Sequence, residues 1–155
     1  MALDRHWIAA HIPHAGKMCL LDEILSWDST RIECRSATHR AADNPLRAHG
    51  RLGSACGIEY AAQSMGLHGA LTAARSSAPP AGYLAGVRAV VLHVEWLDDV
   101  QDDLVINSER ISGDDTIVMY QFSVRAAARP LLDGRATIVL NAATLKRGER
   151  APQPL

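Results

Sequence analysis

Apolar positions recur at helical spacing over residues 53–74 and at alternating spacing over most of the chain after residue 82. In the first stretch Ile58, Ala62, Met65 and Gly69 share one face, and Glu59, Gln63 and Gly66 share the next. No proline interrupts the run, which is long enough for about six helical turns. Ser54 is placed to cap its start. Much of it is Gly, Ala or Ser, so something must approach it closely, and a sheet that covers it is the natural partner. The alternating segments supply that sheet. Residues 83–97 place Val90, Leu92, Val94 and Trp96 on one face. Residues 116–126 do the same with Val118, Tyr120, Phe122 and Val124. Residues 102–111 and 130–142 read as two more strands, and Ser112-Gly113-Asp114-Asp115 as a hairpin turn. Gly134 marks a bulge or a close approach.

The first third is more irregular. Asp4 is placed to cap a short helix through Ala10, ended by Pro13. The apolar run 18–27 reads as a strand. Residues 30–37 alternate, with Ile32 and Cys34 on one side and Arg31, Glu33 and Arg35 on the other. Residues 39–51 are broken by Asn44-Pro45 and Gly50. Residues 75–82 read as an exposed connection, and the basic tail 146–155 as flexible. The layout is α+β: one long central helix wrapped by an antiparallel β-sheet, which is the hotdog arrangement, filling residues 1–145 as a single domain. The free edge of such a sheet invites association, so a dimer with a continuous sheet is expected.

Composition narrows the function classes. At 155 residues, 48% of them hydrophobic, the chain suits one domain with a sizeable core. A net charge of −1 gives no global attraction to nucleic acid or to a membrane surface, and neither is an expected partner. No run is apolar enough to span a bilayer, and residues 1–14 lack a signal-peptide pattern, so a cytoplasmic location is expected. Cys19, Cys34 and Cys56 are odd in number and show no CxxC spacing, which reads as reduced thiols. The seven histidines include no HExxH pair, so no metal is expected. The absence of GxGxxG, P-loop and GxSxG patterns removes nucleotide, phosphate and serine-hydrolase readings. No cofactor is expected.

The chemistry-bearing candidates gather near the start of the long helix. Glu59 lies in its early turns, where the helix dipole favours the charged form and burial opposes it, a combination suited to a general acid. His14 and His49 each sit in a loop containing Pro or Gly, and His49 shortly precedes the helix. The backbone N–H groups of Gly53, Ser54, Ala55 and Cys56 are the ones a helix start leaves unpaired, and they suit a carbonyl oxygen gaining negative charge. The Cys56 thiol has no His–Asp support and is not the expected nucleophile.

Two segments resemble a known family. Pro13-His14, followed by Met18-Cys19-Leu20-Leu21-Asp22, is similar to the opening motif of the 3-hydroxyacyl-acyl-carrier-protein dehydratases. Gly57-Ile58-Glu59-Tyr60-Ala61-Ala62-Gln63 resembles their central-helix signature, with Glu59 and Gln63 keeping the E-x-x-x-Q spacing. Its wording is especially close to dehydratase-like proteins of bacterial aryl-polyene pigment clusters. The resemblance implies a hotdog dimer acting on thioesters that an acyl carrier protein carries on phosphopantetheine. It implies loss of water from a 3-hydroxyacyl chain to give the trans-2-enoyl thioester, in fatty-acid or polyene-type biosynthesis. Glu59 would manage the departing hydroxyl, a histidine would take the C2 proton, and Gly53 to Cys56 with Gln63 would bind substrate, each site being shared across the dimer. The family's basic histidine usually sits in a GHFPG loop fourteen residues before the carboxylate. Here that position is Pro45, which leaves His14 and His49 as alternative bases. A non-catalytic subunit of a hotdog homodimer or heterodimer, and an acyl thioesterase, are the alternatives. Lys17, Arg47 and Arg51 flank the loops where a carrier protein would dock.

Overall fold

A computed structural model of the chain describes residues 2–14, 16–73 and 82–140. Its main elements are β1 (Leu3–Asp4), α1 (Arg5–His11), β2 (Glu23–Trp27), β3 (Arg31–Ser36), α2 (Gly57–Thr72), β4 (Tyr83–Leu92), β5 (Leu104–Gly113), β6 (Ile117–Ala126) and β7 (Arg129–Val139). The strands form one antiparallel sheet in the order β1-β2-β3-β5-β6-β7-β4. α2 lies across β3, β5 and β6. The hotdog arrangement expected from the sequence is the one observed.

Side-chain size explains how helix and sheet come together. α2 turns Tyr60, Ala61, Ser64, Leu67 and His68 onto the sheet, and all are buried. Opposite them lie Ile32 and Cys34 of β3, Leu104 and Ile106 of β5, and Phe122 and Val124 of β6, each at most 1% exposed. Ala61 and Ser64 let the helix come close, and the Ser64 and Ser108 hydroxyls meet at 2.7 Å. At the helix start, a Cβ added to Gly57 would stand 2.5 Å from Leu132 Cδ2, so only glycine fits beside β7 without displacing that leucine.

His68 is the polar member of this interface. Its Nε2–H donates to the Asp28 carbonyl at 2.9 Å, so Nδ1 accepts the Tyr120 hydroxyl at 2.7 Å. Burial holds its pKa below the ordinary 6.5. His39, whose Nε2 lies 3.0 Å from the Val100 carbonyl, is lowered for the same reason. Below about 6.5 the unfolded chain therefore binds protons that the folded chain refuses. The stability these groups carry is full above the unfolded pKa and falls as pH drops below it. The urea midpoint is expected to be flat from pH 8 to 7 and to decline between pH 6.5 and 5. A midpoint that rises over the lower interval contradicts this.

Several element boundaries differ from the sequence reading. Asp4 caps α1 as expected, its Oδ1 accepting the Trp7 N–H at 3.0 Å. The strand predicted over 18–27 begins only at Glu23, because much of the preceding backbone is hydrogen-bonded to side chains instead of a strand. Ser54 does not cap α2. Ser54–Cys56 forms a 3₁₀ turn, and the helix starts at Gly57 with Cys56 before it and no side-chain cap. β4 stops at Leu92, after a bulge in which Ala89 takes a φ of 51°, and so does not carry Val94 and Trp96. The tail from residue 146 and most of the connection 75–82 lie outside the described residues. No helix among the described residues is long and apolar enough to cross a membrane.

Candidate active site

Two segments far apart in sequence meet at the start of α2. The loop after α1 carries His14, and the first turn of α2 carries Glu59. His14 Nε2 lies 3.2 Å from Glu59 Oε1, and each side chain is 33% exposed. The pair is thus sheltered by the chain yet open to a substrate. Both residues come from the same chain. His14 Nδ1 is buried with no hydrogen-bond partner among the described residues, and Nε2 is the ring nitrogen that meets the carboxylate.

Gln63 joins the two segments. It lies one turn after Glu59 on the same helix face and is 2% exposed. Its Oε1 accepts the Leu20 N–H at 3.0 Å, and its Nε2–H donates to the Met18 carbonyl at 2.7 Å. The same nitrogen lies 3.4 Å from Glu59 Oε1. A substrate-binding role was expected for Gln63. Its amide is committed to the loop and to the carboxylate, so it holds the site together from beneath.

Further contacts fix the loop. The Leu20 carbonyl accepts the Ser36 and Thr38 hydroxyls at 2.5 and 2.8 Å. The Tyr60 hydroxyl meets Thr38 Oγ1 at 2.8 Å and Asn44 Nδ2 at 3.0 Å. The Arg5 guanidinium donates to the Cys19 carbonyl at 2.6 Å and to Asp22 Oδ1 at 2.9 Å. Asp22 Oδ2 in turn accepts the Ala37 N–H at 2.7 Å. These supporting residues went unassigned in the sequence reading. Asp22 and Tyr60 do fall inside the two motifs, which is the only signal the chain gives of them.

The remaining candidates are distributed differently. The amides of Gly53, Ser54, Ala55 and Cys56 do stand just before α2. Two of the four are already engaged: Ser54 N–H donates to the Glu95 carbonyl and Cys56 N–H to that of Gly53, both at 3.0 Å. The Cys56 thiol is partly buried, and that burial raises its pKa, which keeps it protonated. Cys19 and Cys34 are buried free thiols, and burial pushes Cys34 up to about 12. His49 is exposed, at a φ of 53° in the tight turn closed by Ala48 and Arg51. No hydrogen bond or ion pair joins it to Glu59 among the described residues. The three flanking cations are paired within the chain. Lys17 meets Asp43 at 2.8 Å, and Arg47 lies 3.7 Å from Asp98. Arg51 binds Asp98 and Asp99, both at 2.8 Å, and stacks on Trp96. Arg47 and Arg51 share Asp98, while the Lys17–Asp43 pair is exposed. Among the described residues no group of His, Cys, Asp and Glu is gathered to hold a metal ion.

An imidazole touching a carboxylate beside a helix start can move protons at two neighbouring atoms of one substrate. Comparison with known proteins supplies the context. A family model described as ApeP-like, ApeP dehydratase, matches residues 6–146. The dehydratase heterocomplex ApeI:P from Xenorhabdus doucetiae is similar in structure, with a TM-score of 0.76 at 20% identity over 92% of this chain and 97% of that one. A mutant thioesterase from Pseudomonas aeruginosa has a TM-score of 0.63 at 13% identity, covering 88% and 93% of the two chains. Zebra fish thioesterase superfamily member 2 has a TM-score of 0.60 at 11% identity, covering 88% and 95%. At these identities the structural likeness establishes the fold. No curated protein matches the chain.

Proposed function

Since the chain belongs to the ApeP-like dehydratase family, we propose that it removes water from a 3-hydroxyacyl thioester carried by an acyl carrier protein, with His14 and Glu59 as the reacting pair. The observation that carries this reading is the 3.2 Å contact between those two side chains at the mouth of the central helix. The thioester carbonyl would face the helix start, where the Gly53 and Ala55 amides have no hydrogen-bond acceptor among the described residues. Neutral His14 Nε2 takes a proton from C2. The C2 electron pair forms the new double bond to C3, and the C3–O bond breaks as protonated Glu59 gives its proton to the leaving hydroxyl. The products are the trans-2-enoyl thioester and water, and the pair is left as imidazolium and carboxylate. Direct transfer across the short contact returns the proton to Glu59 and resets the site. Such acid–base work is worth about 10²–10⁴ in rate.

The decisive assay follows the mass of a 3-hydroxyacyl carrier protein mixed with the purified protein. Loss of one water, or its addition to the enoyl product, is the expected result. Release of free thiol without water loss would instead indicate a thioesterase. No change in either direction would overturn the reading for the chain alone.

A second hotdog chain is the proposed structural partner. Among the described residues β4 ends the sheet and pairs only with β7. It exposes Tyr83, Leu84, Val87, Val91 and Leu92, each at least 37% accessible. An apolar edge of that length is an association surface, and the heterocomplex from Xenorhabdus doucetiae favours a related chain as its occupant. Val87→Asp with Leu92→Asp is expected to convert the assembly to monomers, as read by light scattering. An unchanged mass would place the interface elsewhere.

A further inference from the structure

The edge strand β4 carries charge at its centre as well as apolar side chains. Arg88 stands directly opposite Arg135 of β7 in the sheet register. β7 turns Leu132, Gly134, Ala136 and Ile138 into the core, so Arg135, and Arg88 beside it, lie on the outer face, away from α2. The Cβ atoms of residues paired in this way are about 5 Å apart, and like charges there repel. Both arginines are exposed, and neither guanidinium has a hydrogen bond or ion pair among the described residues. Asp133, the acid two residues along the same face of β7, meets His93 Nε2 at 2.8 Å instead. Gln121 of β6 is the neighbour of Arg135 on its other side. The residues outside the described range bring four cations, Arg75, Lys146, Arg147 and Arg150, against one acid, Glu149. β4 spans Tyr83–Leu92, so its midpoint falls between Val87 and Arg88. A second copy added antiparallel along the whole strand would have its two-fold axis there. Directly opposed residues of an antiparallel pair share a face. The two Arg88 side chains would then stand face to face or one pair apart, with an Arg135 behind each, and four guanidinium groups would form one row across four strands.

From this register we infer that β4 pairs with a different hotdog chain, one whose edge strand presents a carboxylate to Arg88, in preference to a second copy of itself. The apolar side chains of β4 supply the association, and the arginine pair chooses the partner. The inference rests on the proposed β4 interface and adds to it the sign of the charge that must lie opposite.

The test uses this chain as its own acidic partner. Arg88→Glu supplies an edge strand identical to the wild type except for an acid at the contested position. Wild type and Arg88→Glu are mixed in equal amounts and weighed by native mass spectrometry, which resolves the three possible dimers. The mixed dimer is expected to exceed its random half share, with an exchange constant about tenfold above the statistical value. Wild type alone is expected to self-associate less than Arg88→Gln. Light scattering should show its association strengthen from about 50 to about 500 mM salt, as the like charges are screened, and by more than that of Arg88→Gln. A random share of the three dimers, or a wild type that gains no more from salt than Arg88→Gln, overturns the inference. Adding Val87→Asp and Leu92→Asp to both chains separates it from the reading beneath it. A random distribution that those two changes abolish removes the charge selection alone. Dimers that survive them, or no dimer in any mixture, remove the β4 interface itself.

Discussion

Glu59→Gln is expected to abolish water loss from a 3-hydroxyacyl thioester while leaving the circular dichroism spectrum and urea midpoint close to wild type. Glutamine keeps the size of the side chain and removes the proton that the leaving hydroxyl needs. His14→Ala is expected to lower kcat/KM by about 10²–10⁴, the usual contribution of one acid–base group. His49→Ala is the internal control. Its imidazole is exposed and has no hydrogen bond or ion pair with Glu59 among the described residues, so turnover should stay within about twofold of wild type, as surface changes usually do. A large loss at His49 with little at His14 would reverse the assignment of the base. Retained activity in Glu59→Gln would remove the carboxylate from the mechanism.

Gln63→Leu is the second large expected effect, and it is one of support rather than chemistry. The substitution keeps a side chain of similar size in a site that is 2% exposed. It strips the Leu20 N–H of its acceptor and the Met18 carbonyl of its donor. Each buried polar group left without a partner costs about 1–3 kcal/mol. The loss of stability should therefore be about 2–6 kcal/mol before any relaxation, read as a lower urea midpoint with an unchanged m-value. The His14 loop and Glu59 are also no longer tied to each other, so kcat should fall even at temperatures where the variant is fully folded. Gln63→Glu keeps the acceptor for Leu20 but sets a second carboxylate beside Glu59. Its activity should depend on pH more steeply than that of wild type. Unchanged stability in Gln63→Leu would mean that water replaces both bonds.

How much of this was legible in the sequence depends on the kind of interaction. The long helix and the alternating strands were, because their periodicity follows directly from which faces meet the core. Glu59 stood out by its place in the early turns of the helix and His14 by its Pro- and Gly-containing loop, but His49 stood out equally. Nothing in the spacing of residues 14 and 59 says that they touch, since a long-range contact is created by the fold and leaves no local period. The strand predicted over 18–27 failed for a related reason. Its apolar run is real, but Gln63, Ser36 and Thr38 offer partners to its backbone that only the folded chain brings near. Ser54 looked like a cap because serine favours that position. A 3₁₀ turn took its place, with the Ser54 amide drawn to Glu95 across an isolated bridge. The acids that pair with Lys17, Arg47 and Arg51 were not legible, because sequence shows charge but not the acid opposite it.

That His14 and Glu59 belong to one polypeptide sets a rule for mixed assemblies. If each subunit brings its own complete pair, an inactive copy cannot be rescued by its neighbour. Co-refolding His14→Ala chains with Glu59→Gln chains should then yield no complementation, whereas a centre split between subunits would recover about a quarter of wild-type turnover at random mixing of equal amounts. Poisoning wild-type protein with either dead variant should titrate activity in a straight line.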